Sequence, residues 1–436
     1  MSLRRSEWPP GGIVRFVCHG CGVEVDPARV LPFRCPRAVE GDDVDHVLAP
    51  GASAAGFAPG TEPDPFLRYR ALLSPYRVLR AAGLSDAAWT DLVGALDAEL
   101  VAADGRGFRV TPLGPQPALA RAAGLAGELW VKDETGNVAG SHKARHLMAV
   151  MLHLRVVEAA RLPGAAGLRG RRLAIASCGN AALAAAVIAR AARWPLDVFI
   201  PTDASPAVVA RLGDLGAAIA VCERRPGEAG DPCFARFREA VAAGALPFGV
   251  QGPENGLAVE GGRTLALEMA EGLRANPPEA VYVQVGGGAL ASALAQGFAL
   301  AVEAGILPRL PRLVAVQAEG CAPLPRAWER LGATPLQDAA RARSRFMWPW
   351  EKTPASAASG ILDDETYDWW AIAEAMRASG GHPVVAPEEA VVRAHALARA
   401  HTSIAASATG TAGLAGVLAD APRDAPVAVV FSGVER

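Results

Sequence analysis

Val281-Tyr-Val-Gln-Val285-Gly286-Gly-Gly-Ala-Leu290 decides how this chain folds. A short β-rich run ends in three glycines, and a helical stretch of small apolar residues follows, so strand, tight turn and helix come in that order. The same order recurs on both sides. Runs at Leu129–Lys132, Leu173–Ser177, Leu196–Ile200, Ala218–Val221, Leu313–Gln317 and Val427–Phe431 are separated by helical segments of roughly 12–20 residues. Strands alternating with helices require right-handed crossovers, which give a mainly parallel sheet covered on both faces. The fold class is therefore α/β. No internal repeat at a fixed period interrupts the pattern.

In such sheets ligands sit outside the carboxyl ends of the strands, so the loop after each run is where chemistry is expected. Gly286-Gly287-Gly288, with Ala289 and Leu290 opening the helix, offers free backbone N–H groups and the positive end of a helix dipole, which suits a phosphate. It lacks the Gly-Lys-Ser/Thr ending of a P-loop and the third glycine of a dinucleotide fingerprint at its spacing. A second loop, Ser177-Cys-Gly179-Asn180-Ala181, opens another helix of small residues, and a third is Ser432-Gly433.

Of 43 basic residues only three are lysines, Lys132, Lys143 and Lys352. Arginine stays protonated and forms no Schiff base, whereas a lysine amine can lose its proton and attack a carbonyl. Lys143 lies in the most patterned stretch of the chain, Lys132-Asp-Glu-Thr-Gly-Asn-Val-Ala-Gly-Ser141-His-Lys143-Ala-Arg145, and is the first candidate for a catalytic residue. A lysine for an aldehyde, a glycine loop for a phosphate and a Ser/Gly/Asn loop for small polar groups together match the needs of pyridoxal phosphate.

Gly140-Ser-His-Lys-Ala-Arg145 resembles the Gly-Ser-Phe-Lys-Asp-Arg motif of fold-type II pyridoxal-phosphate enzymes, the tryptophan-synthase β-like group, and most closely threonine synthases. The resemblance runs over residues 66–433. Arg68-Tyr-Arg70, Thr111-Pro-Leu113, Lys132-Asp-Glu134 and Glu260-Gly-Gly-Arg-Thr264 resemble further motifs of that family, in its order. It implies two three-layer αβα domains with parallel sheets. The smaller subdomain spans about 145–255 within a catalytic region of residues 61–436. Lys143 then holds the cofactor as a Schiff base and serves as general base and acid, Gly286 to Leu290 bind its phosphate, and Asn180 its ring oxygen, although Asn180 also suits a plain helix N-cap. Ser432 faces the pyridine nitrogen, where a hydroxyl leaves the ring a weaker electron sink and favours elimination or replacement. Ser141, Ser177, Gly179 and Ala181 line the substrate side. Ser407, Thr409 and Gly410 resemble a pocket-lining turn, and a plain helix cap fits them equally.

The implied activity is that of a lyase acting on a small L-amino acid with a leaving group at Cβ or Cγ. Two positions depart from the threonine-synthase pattern. Ala181 stands where a threonine is usual, and Asn255-Gly-Leu-Ala258 replaces Asn-Pro-x-Arg, whose arginine grips a substrate phosphate. Losing such a contact costs about 2–5 kcal/mol unless another group supplies it, and Arg145, Arg263 and Arg345 are the candidates. A serine/threonine dehydratase or other ammonia-lyase needs no such grip, and a non-catalytic cofactor-binding paralogue is the third reading. His142, in place of phenylalanine, is either a core ring or an extra acid/base.

Residues 1–60 form a distinct arm. Cys18-His-Gly-Cys21 and Cys35 look like three-quarters of a zinc ribbon such as some threonine synthases carry; its expected fourth position is Ala38, His46 or the badly placed His19 would complete a Cys3His set, and a degenerate ribbon is the alternative reading. An acidic patch at Glu40 to Asp45 and a Gly/Ala/Pro run from Ala49 to Gly60, read as a linker, complete the arm.

At 436 residues, 51% hydrophobic and with net charge −2, the chain buries a large core and shows no bias toward nucleic acid or an anionic membrane surface. Arg4 and Arg5 are followed by Trp8-Pro-Pro-Gly-Gly12 where a signal peptide needs a long apolar run. Seven cysteines, an odd number in a large chain, point to a reducing compartment, the cytoplasm. The resemblance implies a homodimer.

Overall fold

The computed structural model describes residues 14–228 and 230–436. The absence of a signal peptide was read from residues 4–12, which lie outside them. Three sheets organise the chain. The arm carries β1 (Phe16–Cys18), β2 (Glu24–Val25) and β3 (Leu48–Pro50) in antiparallel order β2-β1-β3. The chain then enters a large sheet through β4 (Leu113–Pro115) and β5 (Leu129–Asp133). It leaves to build a four-stranded parallel sheet from β6 (Leu173–Ala176), β7 (Leu196–Ile200), β8 (Ala218–Val221) and β9 (Leu246–Pro247), in order β8-β7-β6-β9. It returns with β10 (Ala280–Gln284), β11 (Arg312–Ala318), β12 (His382–Ala386) and β13 (Val427–Phe431). The large sheet has the order β12-β11-β10-β13-β5-β4, parallel except for the β4–β5 pair.

Strands β10 and β13 are buried along their whole length, as expected of central parallel strands covered by helices on both faces. Because β13 lies between β10 and β5, the loops after all three converge at one edge of the sheet. That edge carries Gly286, Ser432 and, ten residues past Asp133, Lys143.

The seven runs expected from the sequence are all strands, with ends shifted by at most one residue. β4, β9 and β12 carry weaker signals: Pro115, Pro247 and Pro383 lower strand propensity, and β9 is two residues long. The run from Ala49 to Gly60 is no free linker. It begins inside β3, buries Ala52 and Ala54 in the large-sheet core, and bonds Ser53 Oγ to Glu303 at 2.6 Å. Alanine and glycine there permit close packing. No helix among the described residues is long and apolar enough to cross a membrane.

A buried ion network holds the catalytic-side helices to the sheet. Arg145, on the helix Lys143–Ala159, donates from Nε to Glu134 Oε2 (2.8 Å) and from Nη1 to Glu268 Oε1 (2.6 Å) and Thr264 Oγ1 (3.0 Å). Lys132, on β5, donates from Nζ to Glu268 Oε2 (2.5 Å) and to the Thr111 carbonyl (2.6 Å). None of these charged side chains is more than 1% exposed. The helix Ala258–Gly272 supplies Thr264 and Glu268, and it lies so close that a Cβ at Gly261 would overlap the Arg145 carbonyl. Charges buried this deeply persist only because each is paired.

Removing one partner leaves an uncompensated buried charge. Arg145→Met is expected to cost about 3–5 kcal/mol of unfolding free energy, read from the urea midpoint. A loss below about 1 kcal/mol would show that the network holds nothing together.

Candidate functional site

The turn before the helix Lys143–Ala159 is fastened to the end of β13. His142 N donates to the Ser432 carbonyl at 3.1 Å, and Ser141 pairs with Gly433 as an isolated antiparallel bridge. Lys143 and Ser432 are thereby neighbours although 289 residues separate them in sequence. Lys143 is partly buried, and no described residue hydrogen-bonds its Nζ. Burial lowers its pKa from the usual amine value, while the carboxyls of Asp363 and Asp368 pull the other way.

Ser141 Oγ is buried without a partner. His142 is buried, with Nδ1 3.0 Å from the Ser432 carbonyl and its ring edge-on to His146 at 5.6 Å. Burial holds its pKa well below the ordinary histidine value, so it is a neutral ring anchored to the backbone. Its Nε2 is buried without a hydrogen-bond partner.

Gly288 has φ +101°, a backbone that glycine adopts without strain, and it precedes the helix Ala289–Glu303. Among the described residues nothing accepts a hydrogen bond from the N–H groups of Gly288, Ala289 or Leu290, the first turn of that helix. Gly287 differs from the expected phosphate ligand, because its N–H donates to Asp363 Oδ2 at 2.8 Å. The segment 361–372 lies against the glycine loop, and Asp368 N bonds the Gly287 carbonyl at 3.0 Å.

On the other wall the helix Asn180–Ala191 begins after β6. Gly179, not Asn180, is its N-cap position, so the capping alternative for Asn180 is not realised; its Oδ1 accepts from the Arg436 guanidinium. The amide Nδ2 remains as a donor, beside Gly433. Gly179 N donates to Ser177 Oγ at 3.4 Å, and Ala181 is buried, which leaves the open N–H groups of Asn180 and Ala181 at the helix start as the loop's main polar feature. Ser407 is a plain N-cap accepting from Gly410 N at 3.0 Å, and Thr409 Oγ1 accepts from Gly360 N at 2.9 Å.

The arginines considered for a substrate phosphate are committed elsewhere or turned to solvent. Arg145 belongs to the buried network, Arg263 bonds Gln296 and the Pro50 carbonyl, and Arg345 is exposed on a short turn. Ala258 is fully buried, and Asn255 spends its amide on the carbonyls of Pro247 and Gly249.

Several residues at the site had no signal strong enough to select them from the sequence. Asp363 and Asp368 sit in an acidic run that reads as a solvated loop, yet Asp368 is buried, Asp363 half-buried, and both carboxyls act on the charge of Lys143. Arg436 reaches Asn180 only through the fold. Gln284, a polar residue ending an apolar buried strand, is the one whose departure from the pattern is visible in the sequence.

In the arm, Cys18, Cys21, Cys35 and His46 place their four ligand atoms within 4.8 Å of one another. Cys18 Sγ is 3.4 Å from His46 Nδ1, and Cys21 Sγ is 3.6 Å from Cys35 Sγ. Two thiolates on one tetrahedral zinc lie about 3.8 Å apart, so the donor set fits a structural Cys3His site. Asp42 Oδ2, 3.1 Å from His46 Nε2, orients the imidazole as a carboxylate commonly does behind a metal-bound histidine. His19 faces away, its ring 4.4 Å from that of Trp370. All seven cysteines are free of disulfides.

An unbonded buried amine, a glycine-initiated helix with open N–H groups, an amide donor and a fixed serine hydroxyl fit pyridoxal phosphate. The sequence profile of the family described as pyridoxal-phosphate dependent enzyme matches residues 106–433. A threonine synthase of Methanocaldococcus jannaschii is 28% identical over 184 residues, 41% of this chain and 42% of that protein. A serine dehydratase-like protein of Rattus norvegicus is 32% identical over 194 residues, 43% and 52% of the two chains. The matches thus span about half of these relatives. The maize serine racemase structure superposes with a TM-score of 0.58 at 19% identity, over 78% of this chain and 92% of that one, a likeness of fold.

Asp368 Oδ2 is buried without a hydrogen bond, and burial pushes the carboxyl's pKa up to about 8, with Asp45 adding repulsion and Lys143 opposing it. The folded chain therefore keeps a proton there that the unfolded chain releases near pH ~3.9. This group's contribution to stability is full below about pH 4 and is lost as pH rises to about 8. Asp368→Asn is expected to flatten the fall in unfolding free energy over that window, followed by urea titration. An unchanged slope would show that another group titrates.

Proposed function

The chain belongs to the family of pyridoxal-phosphate dependent enzymes, and from that footing we propose that it is a cytoplasmic, homodimeric lyase that eliminates or replaces a group at Cβ or Cγ of a small L-amino acid. The observation that carries this reading is that the turn leading into Lys143, whose amine no described residue hydrogen-bonds, is fastened by its backbone to Ser432 and Gly433 at the end of β13. The cofactor, when bound, supplies the carbonyl carbon for an amine and the sink for the electron pair released at Cα.

The chain's own residues do the rest. Lys143 Nζ must be neutral to bond the cofactor and later to take the Cα proton, and its lowered pKa supports that form. The same Nζ, once protonated, returns the proton to the departing group. The open N–H groups of Gly288, Ala289 and Leu290 take the cofactor phosphate at a helix N-terminus. Gly286 completes the turn, and Gly287 is withdrawn from that set by Asp363. Asn180 Nδ2 donates to the ring oxygen, and the N–H groups of Gly179 and Ala181, with Ser177 and Ser141, hold the substrate carboxylate.

A second reading is favoured by a specific observation. Because Arg145 and Arg263 are committed to Glu134, Glu268 and Gln296, a substrate without a phosphate suits the site better than O-phosphohomoserine. A β-eliminating ammonia-lyase acting on serine or threonine meets that condition. A panel of amino acids and their phosphate and acetyl esters, screened by perturbation of the visible cofactor band, separates the two. Release of 2-oxo acid and ammonia identifies the ammonia-lyase; release of phosphate identifies the threonine-synthase type. Lys143→Ala is expected to abolish the borohydride-bleachable band and to lower turnover by about 10²–10⁴-fold or more. A wild-type protein that takes up no cofactor would sink the proposal.

For the arm we propose a structural zinc held by Cys18, Cys21, Cys35 and His46. Metal analysis of protein purified without a histidine tag should find close to one zinc per chain, and Cys35→Ala should lose it. Untagged wild-type protein free of zinc would refute the assignment.

A further inference from the structure

Gln284 ends β10 with its side chain 3% exposed and touches Ser432. Its Nε2 lies 2.6 Å from Ser432 Oγ, 2.8 Å from the Gly410 carbonyl, 3.2 Å from the Val430 carbonyl and 3.3 Å from the Thr409 carbonyl. Three of these four neighbours are carbonyl oxygens, which only accept. An amide turned the other way would set its own oxygen against all three, so chemistry fixes the NH2 on this side.

An amide nitrogen has no lone pair to offer, and Ser432 Oγ must therefore accept from Gln284. The single Ser432 proton points elsewhere. Among the described residues it meets no acceptor, since the backbone N of Ser432 takes the Gly410 carbonyl (3.2 Å) and the Ser432 carbonyl is used by His142.

The geometry points to Gln284 as the residue that sets the polarity of the Ser432 hydroxyl, making it a hydrogen-bond donor to an unprotonated pyridine nitrogen. The inference rests on the cofactor reading above and deepens it. A serine alone can donate to a bare ring nitrogen or accept from a protonated one. With Gln284 in place, a protonated ring nitrogen would take the oxygen's second lone pair and strand the hydroxyl proton in a buried site without an acceptor. Gln284 acts through Ser432 and is a positioning residue. By keeping the ring neutral it makes the ring a weaker electron sink.

The test uses full-length protein loaded with pyridoxal phosphate carrying ¹⁵N in the ring, with the ¹⁵N shift recorded against pH. The wild-type protein should show a hydrogen-bonded, unprotonated nitrogen that does not titrate while the protein stays folded. In Gln284→Leu the freed hydroxyl turns to the vacated Gly410 and Val430 carbonyls. The ring then loses its donor, and the signal should move downfield toward that of Ser432→Ala. A Gln284→Leu protein with bound cofactor and the wild-type shift would reduce Gln284 to a packing residue and overturn the inference. A wild-type shift characteristic of a protonated ring overturns it without any variant, which covers the case in which Gln284→Leu does not fold. Wild-type protein that binds no labelled cofactor overturns the cofactor reading and this inference together, an outcome distinct from both.

Discussion

The pairing of Arg145 with Glu134 and Glu268 is the constraint on which the rest of the site depends. A guanidinium fully out of water must have its donors met, and here the partners come from β5's extension and from the helix Ala258–Gly272, with Thr111 and Thr264 filling in. Lys132 shares Glu268, so the network joins strand to helix as well as helix to helix. Lys143 is two residues from Arg145. Wherever the network sits, the start of the Lys143 helix sits too.

A second fixing point lies at the sheet edge. The bridge between Ser141 and Gly433 and the bond from His142 N to the Ser432 carbonyl tie the turn before Lys143 to the end of β13. Between these anchors the Lys143 amine is left without a hydrogen bond, in a setting that lowers its pKa by burial, while two nearby carboxyls, themselves raised by burial, oppose that shift. Burial thus moves amine and acids alike toward their neutral forms, which suits a group that must gain and lose a proton. The segment 361–372 brings those acids in by packing against the glycine loop.

Much of this was legible in the chain. Lysine scarcity singled out Lys143, and the strand-glycine-helix order singled out Gly286 to Leu290, because both depend on residue chemistry and on spacing within one segment. Arg145 is one of three candidates for a substrate phosphate in the sequence, because a positive charge reads the same whether it meets a ligand or, as here, a buried glutamate 123 residues away. Asp363 and Asp368 lay in an acidic run indistinguishable from a solvated loop. Asn180, open to a cap reading, proved to be bonded to Arg436 from the end of the chain. His46 joined the three cysteines, a pairing that the sequence could offer only as a candidate.

By itself, then, the sequence determined the alternation that makes parallel sheets, the strand ends where loops carry glycine, serine and asparagine, and the lysine suited to a carbonyl. These follow from periodicity and from what each side chain can do. Only the tertiary structure decided which charges cancel one another, which N–H groups stay open, and that Gln284's amide faces three carbonyls and a serine. Each depends on contacts between residues more than a hundred positions apart, or on which side of a strand end a neighbour lies, and no local pattern encodes that.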